Sequence, residues 1–574
     1  MKRVAWYAAA LVFASACGKA TGPSATVIAQ AGGDLQGVAA ADTAALPLRV
    51  RVTDGSGHPV SGVTPVWSVT KGPGRLVDIT ATDTGGVSTA RYVADTVAGA
   101  VTVRATAGGS VTFALRVVGG APVRMTAFAG AGQGACLGDA LAGPLVALVV
   151  DQYGNGAPGA WVRWSAPTGR GTLAADSTLT DSTGLARVSF TPDSSGPTTV
   201  TAAAPLTGSP SAFAVTGRRC FKVLGGGNNV SGLYTSDLWL ARGYAYTGTW
   251  GYRNAEGNVV NVWQLDGSGR PVFAGAVRLS DSTGTVSDLQ VSPDSTLLVA
   301  TGEYGPGAGL YVYDLTDPAA PARIGQYLVT GSGTWGLHTG TLAEVNGQLY
   351  AFTARDPSNP ALLIFRIQPD SVQTIALVDS LAMPASYGIH DTFVRDGVLF
   401  VENWNSGLWI YDIGGAGHGG SVTSPVLLST IVTSGGEVHN AWWFKNPVTH
   451  EARYLFVGQE GPGAVGSQSS GDIHVVDVSD LTHPVEVAAY HQAGAGTHNF
   501  WMDEQRQILY AAYYNGGVVA LDVSGTLSGD LASREIARLA PGGAGDTYVW
   551  GVMLYGGRLY AADMLSGLWE LKVP

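Results

Sequence analysis

Four of the ten histidines, His338, His390, His439 and His498, stand 52, 49 and 59 residues apart. Continuing the interval outward reaches Ser287 and Ser236 on one side and Trp550 on the other, at steps of 51, 51 and 52. The residue after each is polar in the first six: Asp237, Asp288, Thr339, Asp391, Asn440 and Asn499. A second series, Glu303, Glu402, Glu460 and Asp563, recurs further along the same units. Neutral imidazole nitrogens beside carboxylate oxygens are the donors that suit zinc, copper, iron or manganese. The candidate ligands for one transition-metal ion are therefore His338, His390, His439, His498, Asp391 and Glu402. Two other readings stay open. The series can form a metal-free ligand mouth, or the polar pairs can satisfy backbone groups at strand starts.

Such a series needs a repeating element to bring it together. Each unit of about 52 residues between Ser236 and Pro574 carries an inner strand, a second strand such as Leu349-Tyr350-Ala351, a third strand ending in aspartate, and a last strand. The aspartates Asp314, Asp412, Asp477 and Asp522 suit turns that need a side-chain acceptor. Four short strands per unit at this period predict a β-propeller of seven blades. The seventh unit stops after Leu568–Val573, one strand short. The spare run Phe221-Lys222-Val223-Leu224 is expected to complete it and close the ring, removing the exposed sheet edges. The seven aligned positions then surround one mouth of the axial channel. Loops on that face carry Trp250, Tyr252, Arg253, Tyr304 and Arg355. With Glu303 and Glu460 these predict a polar, aromatic funnel for a small or glycan-like ligand, with Trp250, Tyr304, Arg355, Glu303 and Glu460 as its binding residues. The phrases LYVYDLTDPAAPARIGQY and IHVVDVSDLTHPVEVAAY resemble the LVIVD-repeat propellers of bacterial surface proteins. That resemblance implies the fold and leaves the function open.

Upstream, PLRVRVTDGSGHPVSGVTPVWSVTKGPGRL at 47–76 repeats as PLVALVVDQYGNGAPGAWVRWSAPTGRGTL at 144–173, a constant offset of 97. Alternating strands, a D-x-x-G turn and a tryptophan on the next strand predict two tandem sandwiches. They resemble invasin-type bacterial Ig-like domains, with Trp67 and Trp164 between the sheets and Asp54 and Asp151 as turn formers. In such a sandwich the first and last strands can run parallel, which would carry Cys136 and Cys220 to one pole for a disulfide; two reduced thiols are the alternative. The expected fold is all-β: Ig-like domains at 25–120 and 121–218, then a seven-bladed propeller at 219–574.

Met1-Lys2-Arg3, an apolar run from Val4 to Phe13 and Ala14-Ser15-Ala16-Cys17 resemble a bacterial lipoprotein signal at 1–17, with lipid on Cys17 and a tether at 18–24. Ordinary secretion is the other reading. The net charge of −11 argues against a nucleic-acid footprint. No P-loop, dinucleotide fingerprint, HExxH or GxSxG is present. The expectation is a monomeric, envelope-anchored binding protein at the outer membrane or cell surface. Its anchor would be the lipid, its stalk the Ig-like pair, and its partner a surface polysaccharide or protein. The alternative is an exported metal-dependent enzyme.

Overall fold

The computed structural model describes residues 26–230, 232–251, 256–330, 335–356, 359–371, 373–384 and 388–574. The signal, the tether, Cys17, Tyr252 and Arg253 lie outside them. The fold is all-β; among the described residues the helical structure is one 3-10 turn, Ala532–Arg534. The chain forms two compact units that divide between Arg218 and Arg219.

The first unit holds two sandwiches. In the first, Val27–Gly32, Leu48–Thr53, Val87–Ala94 and Gly74–Val77 form one sheet. Gln36–Ala39, Gly109–Val118, Gly99–Ala107 and Val66–Lys71 form the other, with Gln36–Ala39 parallel to Gly109–Val118. Alternation puts Leu48, Val50 and Val52 wholly inside, against Trp67 and Phe113, whose rings stack at 5.7 Å. Trp164 and Phe213 repeat that pair at 5.7 Å in the second sandwich. Asp54 is a turn former: its Oδ1 accepts the amides of Ser56 and His58. Asp151 does the same for Tyr153 and Asn155. Gly134–Cys136 runs parallel to Ser211–Arg218, and Cys136 and Cys220 are disulfide-bonded.

The joint between the sandwiches uses the second turn again. Asn155 donates to Thr96 O at 2.7 Å and accepts from Ala98 N at 2.8 Å. Asp151 Oδ2 accepts Gly120 N at 2.9 Å. A Cβ at Gly119 would lie 2.1 Å from Gly156 O, so glycine is required where the chains cross.

The second unit is a ring of seven sheets. Blade 4 is representative: Asp391–Arg395, Val398–Glu402, Leu408–Asp412 and Val426–Ile431 in antiparallel order. Lys222–Gly226 pairs with Gly567–Lys572 and completes the seventh blade, as the spare run suggested. Blade 5 departs from four strands. A two-residue strand, Gly529–Asp530, adds to its outer edge, parallel to Val485–Tyr490. Aliphatic and aromatic side chains fill the spaces between sheets; Phe456, Val475, Leu509 and Val519, for example, are completely buried between blades 5 and 6.

Candidate metal centre

Backbone irregularity aims the ring residues at the axis. Ser236, Ser287, His439 and Trp550 each lie inside a register shift of the inner strand. A bulge of this kind re-aims a side chain that regular pleating would bury between blades. The other three histidines precede their inner strands, pinned to the end of the second strand. His338 N donates to Ala354 O, His390 N to Glu402 O and His498 N to Ala512 O, at 2.8, 2.7 and 2.8 Å.

The four imidazoles form an arc. Successive ring centroids are 4.3 Å (His338–His390), 4.6 Å (His390–His439) and 4.1 Å (His439–His498) apart. His338 Nε2 and His390 Nε2 are 3.1 Å apart. Glu460 Oε2 lies 3.3 Å from His390 Nε2 and 3.7 Å from His439 Nε2. His390, His439 and Glu460 thus present three ligand atoms within 4.8 Å of one another. Two ligand atoms bonded to one ion at about 2.1 Å stand roughly 3.0–3.4 Å apart, so His390 Nε2 and Glu460 Oε2 are already at that spacing, while His439 Nε2, at 3.7 Å from Glu460, would have to close in.

The surroundings hold the donors in place. Glu303 Oε1 sits 3.3 Å from His338 Nδ1 and Asp356 Oδ2 3.8 Å from His390 Nδ1, on the far side of each ring from Nε2. Tyr514 donates its hydroxyl to Glu460 Oε1, leaving Oε2 toward the histidines. Tyr514 and Trp404 are both non-glycine residues in the left-handed region, at φ 42° and 48°. Each bridges to the next inner strand, at Val549 and Val438, and brings its ring against a histidine: Tyr514 edge-on to His498 at 5.0 Å, Trp404 tilted against His390 at 4.8 Å. Strain of this kind persists only where the surroundings over-determine it.

Charge follows from burial and neighbours. Burial would lower His390, but the carboxylates of Asp356 and Glu460 outweigh it and raise the imidazole to about 10. Burial and the nearby imidazole of His498 hold His439 well below its ordinary value. Burial, with His390 and His338, does the same to His498. Glu460 is pushed up by burial, yet His439 and then His390 bring it down to about 2. His439 and His498 are 1% and 2% exposed, and neither ring nitrogen of either has a hydrogen-bond partner. Each orphaned buried polar atom costs about 1–3 kcal/mol. These residues fit a metal ion: the imidazoles of His390 and His439 converge with the Glu460 carboxylate, His439 has both nitrogens uncommitted, and His390 would give up its proton on binding.

Of the residues singled out from sequence, the structure gathers His338, His390, His439 and His498. Asp391 and Glu402 are not in the convergent group. Asp391 follows its histidine into the channel below, and Glu402 is wholly buried opposite it across the strand pair, with neither carboxylate oxygen bonded. Glu460, expected in a ligand mouth, instead joins the histidines. Trp250, Tyr304 and Glu303 line a separate cavity of about 600 Å³ with Trp335, Glu256 and Asp281. Arg355 is not among its lining residues and donates to Asn359 O at 2.8 Å. Asp356 and Tyr514 were not legible beforehand; the only signal was their place just past a second strand.

Residues 142–216 match the family described as Bacterial Ig-like domain (group 1). Among solved structures, the β-propeller domain of Myceliophteria thermophila Cps50 (Swd1) is similar at 11% identity and a TM-score of 0.43, covering 62% of this chain and 100% of that one. No curated protein matches the chain. No helix among the described residues is long and apolar enough to cross a membrane.

Proposed function

We propose that the chain is an exported, surface-facing metal-dependent enzyme. Its propeller head would hold one transition-metal ion on His390, His439 and Glu460, with His338 and His498 completing the arc. The observation that carries this reading is His439: an almost fully buried imidazole with both nitrogens unbonded, 3.7 Å from a carboxylate oxygen already shared with His390. Bound there, a metal would supply Lewis-acid or redox chemistry. The chain's own residues do the rest. Glu303 and Asp356 place carboxylates near the outer nitrogens of His338 and His390, and Tyr514 holds Glu460 through its Oε1. The cavity of Trp250, Tyr304 and Trp335 shares Glu303 with His338, which makes it the candidate approach for a small ligand. The Ig-like match supports a stalk, with lipid on Cys17 as the proposed anchor to the bacterial envelope.

The test is elemental analysis of the full chain, purified without a metal-binding tag, beside a His390→Ala/His439→Ala variant. Near-stoichiometric zinc, copper, iron or manganese in the parent, lost in the variant, is the expected result. A metal-free parent after incubation with all four would sink the proposal. The head would then be a binding module for a surface polysaccharide or protein, read through the Tyr304 cavity.

A further inference from the structure

The outward side of one sheet of the first sandwich is basic. Successive side chains of a strand point to opposite faces. Leu48, Val50 and Val52 point inward and are completely buried, so Arg49 and Arg51 between them point out. On the neighbouring strand Ala90 and Tyr92 are inward and completely buried, and Arg91 points out. Arg75 of Gly74–Val77 pairs with Val93, which puts it on the same side as Arg91. The register sets Arg51 opposite Val87, Arg49 opposite Thr89 and Arg91 opposite Val77. Arg51, Arg49, Arg91 and Arg75 therefore follow one another across three strands as a diagonal stripe, in steps of about 7 Å.

All four are exposed. Among the described residues none of them makes an ion pair or a side-chain hydrogen bond. The four strands of this sheet contain no Asp or Glu. Asp54 and Asp95, just past strand ends, accept amides of their own turns. The second sandwich is an internal comparison. At its offset of 97 or 98 the same four positions are Val146, Leu148, Thr172 and Ser189. The scaffold itself does not need the arginines.

The place of this sheet in the chain names the surface it would meet. Its first strand begins at Val27, nine residues beyond Cys17. Fully extended, that segment reaches about 35 Å, so lipid on Cys17 would hold this sheet beside a bilayer. One acyl chain anchors only marginally, and a basic patch is the common second signal. Guanidinium groups suit phosphate because they can bond it in pairs. Residues 219–574 carry 17 Lys and Arg against 32 Asp and Glu, so an anionic bilayer repels the head while drawing this face.

We propose that the outward arginine face of the first sandwich docks on an anionic phospholipid bilayer, with Arg49, Arg51, Arg75 and Arg91 paired to headgroup phosphates. The inference rests on the envelope-anchor part of the function proposed above, adds a second attachment to it, and is independent of the metal centre. The competing account is that the arginines only keep an exposed sheet soluble.

The chain from Gly18 onward, which contains every described residue and carries no lipid, is sedimented with vesicles of phosphatidylcholine alone and of phosphatidylcholine with phosphatidylglycerol in equal parts. Expected at low salt is at least tenfold stronger partition onto the second, falling as salt is raised. Arg49→Gln/Arg51→Gln/Arg91→Gln should remove that preference. Arg104→Gln/Arg116→Gln, on the other sheet of the same sandwich, should keep most of it. Circular dichroism checks folding; if the triple variant fails to fold, Arg75→Gln/Arg91→Gln is read in its place, with at least a threefold loss expected. Equal partition onto both vesicles, a preference that survives the triple variant, or an equal loss in the Arg104 and Arg116 variant would each overturn the docking face. Retention on an acidic polysaccharide with none on vesicles would overturn it too. The mass of the N-terminal peptide of the cell-made protein reads the anchor separately: no lipid there, with the vesicle preference intact, removes the anchor and leaves the face standing.

Discussion

Asp412 shows how much one carboxylate does at a blade corner. It is fully buried, and it accepts five amides. Gly414, Gly415 and Ala416 bond its Oδ1 at 2.8, 3.0 and 3.0 Å; His418 and Gly420 bond Oδ2 at 2.7 and 3.2 Å. Burial works against its charge, but those amides outweigh it and hold the carboxyl well below its usual range. Asp412→Ala should cost about 3 kcal/mol in a denaturant titration, because several donors lose their acceptor together. The pH dependence follows the same sign. The stabilisation is complete above the unfolded-state value near pH 4, and it is lost as pH falls toward the depressed native one. Tyr514 acts on the site through Glu460. Tyr514→Phe leaves the buried Glu460 Oε1 without its donor, and should weaken metal retention against a competing chelator about 10- to 100-fold and lower stability by about 1–3 kcal/mol. An unchanged affinity would remove Tyr514 from the site. The four histidines were legible because they recur at the same place in successive repeat units, 52, 49 and 59 residues apart. Asp356 and Tyr514 were not, since they come from second-strand ends whose lengths differ. The strand of blade 3 runs to Arg355, whereas that of blade 4 stops at Glu402.

At the level of strands, most of the head could be read in advance. Second and third strands alternate, and aspartate turns mark their ends: Asp314, Asp477 and Asp522 cap Thr316, Ser479 and Ser524 amides. The bulges at Ser236, Ser287, His439 and Trp550 leave no pattern in one sequence, because they are set by which neighbour the backbone must reach. The outer strand Gly529–Asp530 is likewise silent: two residues cannot show a period. The closing strand has a measurable role. Removing residues 219–226 leaves Gly567–Lys572 unpaired along one edge. An exposed edge of this kind recruits other chains. The truncated head should therefore move to higher-order species on size-exclusion chromatography, while the intact chain does not. A monodisperse monomer would show that the ring closes without it.

For the molecule as a whole, the Ig-like pair was legible as a repeat but its joint was not. His58 and Asn155 occupy matching turns, yet only Asn155 reaches the neighbouring sandwich. Asn155→Ala should lower the stability of the pair by about 1–2 kcal/mol, measured in the full chain, with His58→Ala close to neutral. The disulfide links Cys136 and Cys220, 84 positions apart. Reduction should destabilise the native chain by roughly 4 kcal/mol on the chain-entropy account. The clasp between Lys222–Gly226 and Gly567–Lys572 also has a bearing on biosynthesis. The ribosome makes one half of it some 340 residues before the other. At a translation rate of about 5–20 residues per second, the early half waits unpartnered for about 17–70 seconds. Any transcript cut short upstream yields a product that can never hide that edge. Completion of the polypeptide is thereby written into the shape of the head.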